Sequence, residues 1–413
     1  MLMRIIHEDC LVAMRALLAE GVKVHSVVCD PPYGLEFMGK EWDGSDGFRR
    51  SLNAADAGRE NVFGRQSKRG PEYRAGHLFQ EWCEAWAELA LELLLPGGHL
   101  VAFGGARTYH RLACAVEDAG FEIRDQIQWI YGGGFPKSKN DGKGRGTQLK
   151  PANEPIVLAR KPLVGPVADN FAAYGTGYLN IDGCRVSFEN DAPNPATNPL
   201  YRKENGYKLP TGDDSNSTSW KIKKDRREQP AHSLGRWPAN VVHDGSDEVL
   251  EAFPNAPGQQ ARVKGTEPSS PTLNVFGARQ RVPFNGRVGE ATAEKRYTEN
   301  GGTNFAALPG ARRFDGGSAA RFFYHAKASK ADRMGFTHPT IKPVNLMRWL
   351  VRLVTPVGGI ALDPFAGTGT TGAAALAESR EAILIEREPA YVENIRTRLN
   401  LPAVAKSIGG SRG

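Results

Sequence analysis

An α/β fold is predicted for this 413-residue chain, and three observations predict it. Seven short apolar runs read as buried strands, several alternate with segments of helical spacing, and one strand near the end runs into a glycine-rich turn that opens a helix. A hydrophobic content of 40% supplies a core, and the mix of 53 Lys+Arg with 46 Asp+Glu excludes wholesale disorder. No apolar run reaches the roughly 20 residues of a membrane helix. The start, MLMRIIHEDC, carries charges where a signal peptide has its apolar stretch, so a soluble, cytoplasmic chain is expected.

RIIH (4–7) and VHSVVCD (24–30) read as strands, joined by the helix DCLVAMRALLAEG with Gly21 at its C-cap: a β-α-β unit. A long polar loop follows Tyr33 and contains RQSKRG (65–70). HLFQEWCEAWAELALELLLPGG then places Phe79, Trp82, Trp86, Leu89 and Leu93 at three- and four-residue steps, the face a helix turns to a core, and stops at Pro96, Gly97 and Gly98. HLVAFGG is the next strand, ARTYHRLACAVEDAG the next helix, and EIRDQIQWIYG and EPIVLAR two more strands. From about 163 to 317 the texture turns to Pro, Gly, Asn, Asp and basic residues, with WKIKKDRREQ (220–229) its strongest positive cluster and GRWPANVVHDG (235–245) its clearest strand-like island. From 318 the α/β texture resumes: NLMRWLVRLV as helix, GGIALDPF as strand, GTGTTGAAALAES as turn and helix, EAILIERE as strand, AYVENIRTRL as helix. The two α/β blocks are either separate domains or two halves of one sheet.

Five cysteines, Cys10, Cys29, Cys83, Cys114 and Cys184, lie scattered without CxxC spacing. They read as reduced thiols, not as a disulfide framework or a zinc site, and all but Cys10 are expected to be small buried hydrophobes. A pI near 9.1 permits a polyanionic partner.

The turn after IALDPFA matches G-x-G-x-x-G through Gly367, Gly369 and Gly372. Small residues there let a ligand approach backbone N–H groups at a helix N-terminus. Glu386 ends the next strand, 386 − 367 = 19 positions on, the spacing at which a carboxylate grips ribose hydroxyls. A nucleoside-bearing cofactor is expected, and the pattern fits NAD as well as S-adenosylmethionine. Asp363 tips the choice, because an anion beside the glycines repels a pyrophosphate and pairs with the ammonium of a methionine moiety. Its ordinary alternative is a turn-capping carboxylate.

Asp30-Pro31-Pro32-Tyr33 stands at the carboxyl end of VHSVVC, where open α/β sheets place their sites. Two prolines stiffen the chain and hold an acceptor carboxylate and backbone carbonyls close to an aromatic face. Those parts suit one task, gripping the exocyclic amine of a flat base stacked on Tyr33. Accepting both amine hydrogens favours a nitrogen whose lone pair can attack a methyl group. Glu36, Lys40 and Trp42 follow closely and are candidates for assisting or for solvated loop.

Together these residues resemble the amino-methyltransferases of DNA, which move a methyl group from S-adenosylmethionine to the exocyclic nitrogen of adenine or cytosine. DPPYG resembles the family's catalytic motif, DPFAGTGTT its cofactor loop, HPTIKP (338–343) the segment completing the methionine pocket, and IIHEDC the strand whose acid meets the cofactor's adenine. The resemblance implies that Asp30, Pro31, Pro32 and Tyr33 are catalytic. It implies that Asp9 accepts from the adenine amine, Cys10 lines its ring, Thr340 and Lys342 approach the methionine carboxylate, and Phe365 with Gly367, Thr368, Gly369 and Thr370 wraps the cofactor. Asp363 and Glu386 keep the roles given above. Asp9 as a helix cap and Lys342 as a surface charge are the ordinary alternatives.

The order of motifs resembles the family's β arrangement, and GRWPANVVHDG and ARFFYHAKASKADR resemble segments of phage- and prophage-type members. The implied fold is a Rossmann-like S-adenosylmethionine-dependent methyltransferase with a seven-stranded, mostly parallel sheet built from both chain halves. Residues 1–162 would form the catalytic half, 163–317 a loop-rich target-recognition insert, and 318–413 the cofactor-binding half. Double-stranded DNA is the expected partner, with one base flipped out and no metal required. Asp at the head of the motif favours N6 of adenine, with N4 of cytosine as runner-up. An NAD-dependent oxidoreductase and a non-catalytic DNA-binding protein are the readings from other classes. Lys224, Arg226 and Arg227 are phosphate candidates against the more ordinary reading of a solvated charge run, and RQSKRG is read as a DNA phosphate contact with a solvated loop as its alternative. A restriction, regulatory or self-protective setting, and assembly as a homodimer, stay open.

Overall fold

The computed structural model describes residues 3–35, 43–55, 71–134, 141–187, 235–255, 272–274, 277–279, 318–326, 330–336 and 340–401. Chain contacts divide the protein into two units: Met1–Cys184 with Asn240–Val249 and His325–Gly413, and Arg185–Ala239 with Leu250–Tyr324.

The first unit is built on one sheet. Its strands are β1 (Met3–His7), β2 (Val24–Cys29), β3 (Leu94–Phe103), β4 (Glu122–Ile130), β5 (Asn153–Arg160), β6 (Val241–His243), β9 (Tyr324–His325), β10 (Ile360–Asp363) and β11 (Glu381–Glu386), in the spatial order β1-β11-β10-β2-β3-β5-β4-β6-β9. The pairs β1–β11, β11–β10, β10–β2, β2–β3 and β4–β6 are parallel. β5 alone is antiparallel to both neighbours, β3 and β4. The seven runs read from the sequence are all strands of this sheet, so the two α/β blocks are halves of one sheet. The count rises from seven to nine because VVH, within the strand-like island 235–245, and YH extend the edge beyond β4. At three and two residues they are too short to show a period.

Helices α1 (Cys10–Ala19), α2 (Ser45–Ala55), α3 (Pro71–Leu93) and α4 (Tyr109–Asp118) pack on one another. Trp86 and Phe79 of α3, Leu17 of α1, and Val27 and Cys29 of β2 fall in one hydrophobic cluster. Val28 and Val101 are equally buried but outside that cluster, and a helix we label α6 (Val344–Val354) packs against β2 and β3. Burial on both faces explains why these strands read as continuous apolar runs. Helices α5 (Val167–Tyr174), α7 (Thr370–Ala377) and α8 (Pro389–Arg398) complete the unit. Asn170 of α5 is buried and donates to the carbonyl of Pro96 at 2.9 Å and of Thr176 at 3.0 Å, which ties 163–176 to the start of β3. Gly21 takes φ +75° just beyond α1, as expected of its C-cap position.

Four of the five cysteines are buried and Cys114 is exposed, a correction to its reading as a buried residue. α4 turns Leu112, Ala115 and Val116 inward, which leaves position 114 on the outer face. No helix among the described residues is long and apolar enough to cross a membrane.

In the second unit, Val186 bridges antiparallel to Arg236 and Asn255 to Ser318, and Thr272–Asn274 (β7) pairs with Gly277–Arg279 (β8). Arg236 and Arg321 lie over the Phe322 ring at 5.2 and 4.3 Å, and Arg185 over Trp237 at 5.4 Å.

Candidate active site

Parallel strands deliver their last residues to one edge of the sheet, and that edge carries the site. Asp9 follows β1, Asp30 follows β2, Asp363 ends β10 and Glu386 ends β11. Because β5 runs the opposite way, its beginning lies on this same edge, with Glu154 opposite Trp129 of β4.

The glycine-rich turn links β10 to α7. Gly369 has φ +81°, and a Cβ there would meet Ile395 Cγ2 at 3.1 Å, so glycine is required both for the turn and for the fit. Gly367 N donates to Glu386 Oε2 and Glu388 N to Glu386 Oε1, each at 2.8 Å. The acid nineteen positions beyond the first glycine is thus joined to the turn. Burial pushes its carboxyl up to about 6, against those two backbone hydrogen bonds. Asp363 is buried and accepts from Thr371 Oγ1 at 2.5 Å and from Phe365 N at 3.0 Å. Its turn-capping role is therefore real, and burial pushes it up to about 7.

Both carboxyls hold protons in the folded chain that the unfolded chain, at ordinary values of 3.8 and 4.5, has already released. Stability from this source is complete below about pH 4 and is lost as pH rises toward about 7. An Asp363→Asn variant keeps the acceptor for Phe365 N and removes the charge. It should gain on the parent by roughly 5 °C in melting temperature between pH 5 and pH 8, measured by calorimetry. A pH-independent difference would overturn the assignment.

Phe365 rests against Trp82 and Trp86 of α3, at centroid distances of 5.4 and 5.5 Å. Asp9 caps α1 by accepting from Leu11 N at 2.9 Å, and also accepts from Ser51 Oγ at 3.0 Å. Ser51 in turn accepts from Trp82 Nε1 at 3.3 Å. It belongs to α2, within the stretch read as a polar loop. Phe48 of the same helix stacks on Trp82 at 4.7 Å, and Asp43 just before it accepts from Gly34 N at 2.7 Å and Leu35 N at 3.2 Å, closing the turn after DPPY. The available signal for α2 was Phe48 and Leu52 four positions apart behind Ser45 and Asp46.

The catalytic-motif candidates meet two residues from elsewhere. Tyr33 OH donates to Asp30 Oδ1 at 2.8 Å. Lys342 Nζ lies 2.8 Å from Asp30 Oδ2, 3.0 Å from Glu154 Oε2 and 3.1 Å from Tyr33 OH. Tyr33 OH also reaches Glu154 Oε2 at 3.2 Å. Lys342 is buried, which by itself would lower its pKa, but Asp30 and Glu154 outweigh burial and raise it. Burial and the same two carboxylates hold Tyr33 well above its ordinary range. Lys342 is therefore a member of the Asp30 cluster and not a surface charge. Glu154 escaped the sequence reading as a site residue, since EPIVLAR advertised only a strand.

One cavity of about 990 Å³ is lined by every predicted site residue except Gly369, which shapes the turn from behind. Catalytic candidates Asp30, Pro31, Pro32 and Tyr33 share its wall with Asp9, Cys10, Thr340, Lys342, Asp363, Phe365, Gly367, Thr368, Thr370 and Glu386. Trp82, Phe48 and Glu154 also line it. Trp82 is both core and wall. Glu36, Lys40, Trp42, RQSKRG, His338, Pro339, Lys224, Arg226 and Arg227 lie outside the described residues.

A family model described as DNA methylase, covering N6 and N4 enzymes, matches residues 24–397. The type II methyltransferase M.HindIII of Haemophilus influenzae is 25% identical over 186 residues, which are 38% of this chain and 59% of that protein. M.BglI of Bacillus subtilis is 46% identical over 56 residues, 14% of this chain and 16% of that protein. The matched stretches thus span under two thirds of either relative. Among solved structures, the M1.HpyAVI–SAM complex gives a TM-score of 0.41 at 16% identity, covering 97% of this chain and 100% of that one. PvuII DNA methyltransferase, cytosine-N4-specific, gives 0.39 at 13%, covering 97% and 87%.

Proposed function

This chain belongs to the N6/N4 DNA methylase family, and on that premise we propose that it transfers a methyl group from S-adenosylmethionine to N6 of adenine in double-stranded DNA. The carrying observation is that one cavity holds both the DPPY carboxylate and the glycine turn with its acid. In this reading the NAD-dependent alternative falls away with the family.

The residues fit such a cofactor. Glu386 spends one lone pair of each oxygen on the turn and keeps the others for ribose hydroxyls. Phe365 offers an apolar face, braced by Trp82 and Trp86. Asp363 lines the wall as a buried carboxylate that a neighbouring ammonium would stabilise in its charged form. Asp9 and Cys10 line the wall beyond β1 and would face the adenine. Thr340 is exposed on the wall and is assigned to the methionine carboxylate. S-adenosylmethionine would supply an electrophilic methyl on its sulfonium sulfur.

Asp30 and a carbonyl of the Pro31-Pro32 pair would accept the amine hydrogens of a flipped adenine, while the Tyr33 ring packs on its face. The gain comes from orientation, because the amine lone pair must point along one line at the methyl carbon. Residues 163–317 are proposed as the target-recognition insert, in which Arg236 and Arg185, the latter over Trp237, supply positive charge, with Arg321 just beyond its end. Asp at the head of the motif supports adenine over cytosine.

The test is incubation of the protein with unmethylated genomic DNA and labelled S-adenosylmethionine, followed by single-molecule mapping of modified bases. N6-methyladenine at one short motif is expected. N4-methylcytosine would move the same chemistry to the other base. No label on any DNA, with cofactor binding shown by calorimetry, would end the DNA reading.

A further inference from the structure

Asp30 is already engaged on both of its oxygens. The proposed reaction asks it to accept hydrogens from an aromatic amine, yet Oδ1 already accepts from Tyr33 OH at 2.8 Å and Oδ2 from Lys342 Nζ at 2.8 Å. A carboxylate holding a cation and a hydroxyl is a weaker acceptor for a third donor than a free one. Both donors have a second acceptor within reach, and it is the same atom: Glu154 Oε2 lies 3.2 Å from Tyr33 OH and 3.0 Å from Lys342 Nζ. The Glu154 side chain is 19% exposed and Asp30 20%, so the two carboxylates face the cavity from comparable depth while Lys342, at 5%, lies beneath them. An ammonium this deep cannot be left without an acceptor. With Glu154 beside it, it need not be.

We propose that Glu154 is a positioning residue that takes over the Tyr33 hydroxyl and the Lys342 ammonium when Asp30 turns its oxygens to the target amine. This rests on the function proposed above and adds to it the device that frees the acceptor. No bond is made or broken in the exchange: two hydrogen-bond donors move from one carboxylate to the other, and the net charge of the cluster is unchanged. Glu154 acts through Tyr33 and Lys342. Its role was not legible in the sequence, because the residue stands at the start of β5, which runs against both its neighbours.

Two measurements test it, and the first needs no activity. In protein labelled with ¹⁵N-lysine, the Lys342 ammonium signal, identified by its loss in Lys342→Met, should persist in Asp30→Asn and in Glu154→Leu, each of which leaves one carboxylate. It should disappear by fast exchange in the double variant. Release of the ammonium by Asp30→Asn alone would overturn the exchange. The second measurement is kinetic, on the DNA motif mapped for the parent. Glu154→Leu should lower kcat about 100-fold with the S-adenosylmethionine Kd and melting temperature unchanged. Glu154→Gln, whose amide oxygen still accepts, should recover to within about tenfold of the parent. A Glu154→Leu enzyme within twofold of the parent kcat, or one that loses cofactor affinity in proportion, would refute the positioning role. If the parent methylates no DNA, the functional reading fails, and the lysine signal still decides whether the two carboxylates share their donors.

Discussion

Methyl transfer by an Asp30→Ala variant should fall about 10³-fold or more while S-adenosylmethionine still binds, because the variant loses the acceptor for the amine and leaves the cofactor wall intact. Asp30 lines the same cavity as Glu386 and the glycine turn, but its own partners are Tyr33 and Lys342. Lys342 keeps Glu154 as its partner at 3.0 Å, so the fold should survive with a melting temperature close to the parent's. Single-turnover methylation with excess enzyme would isolate the chemical step from DNA binding, and calorimetry would report the cofactor Kd. A variant that transfers methyl groups at more than about a tenth of the parent rate would remove Asp30 from the chemistry. One that fails to bind the cofactor would place it in the wrong half of the cavity.

Lys342→Met should produce the second large effect, and on two quantities at once. Methionine fills a similar volume but leaves the Asp30 and Glu154 carboxylates without the ammonium that each now meets within 3.0 Å. Removing one partner of a buried ion cluster costs about 3–5 kcal/mol. Both carboxylates here keep some solvent contact, so a loss of about 2–3 kcal/mol is the expectation, read from urea unfolding. The remaining carboxylates repel each other, and Asp30 loses the cation that holds its oxygens in place. Activity at pH 7 should therefore fall about 100-fold with the S-adenosylmethionine Kd unchanged, unlike a loss caused by disturbed cofactor binding. The same variant separates two roles for this lysine. If it served the methionine carboxylate, as its motif implies, cofactor affinity would collapse instead.

The elements that the sequence made legible are those whose information is local. β2, β10 and β11 are continuous apolar runs, the glycine turn advertises a positive φ at Gly369, and Asp30-Pro31-Pro32-Tyr33 combines types that few other tasks require. What stayed hidden depends on contacts distant in the chain. Glu154 joins Asp30 and Lys342 only because β5 is reversed, and no feature of EPIVLAR states its direction. α2 is mostly polar, and its value lies in Phe48 and Ser51 finding Trp82. Trp82 was legible as core by its spacing, but its second role as cavity wall depends on where Phe365 comes to rest. Of the two added strands, VVH lies in the island 235–245 that read as strand-like, while YH is defined by its partner and not by its composition.

The pairing of β1 with β11, Met3 with Ala382 through His7 with Glu386, has a consequence for how the protein is made. At about 5–20 residues per second, β11, the neighbour of β1 among the described residues, leaves the ribosome roughly 20–80 s after β1 itself. β10, which flanks β2, is almost as late. During that interval the early strands have an open edge, and sheets closed by such distant partners are slow to form and prone to mispair. Asp9 and Asp30 are synthesised long before Asp363 and Glu386, so the cavity cannot close until β11 has been made.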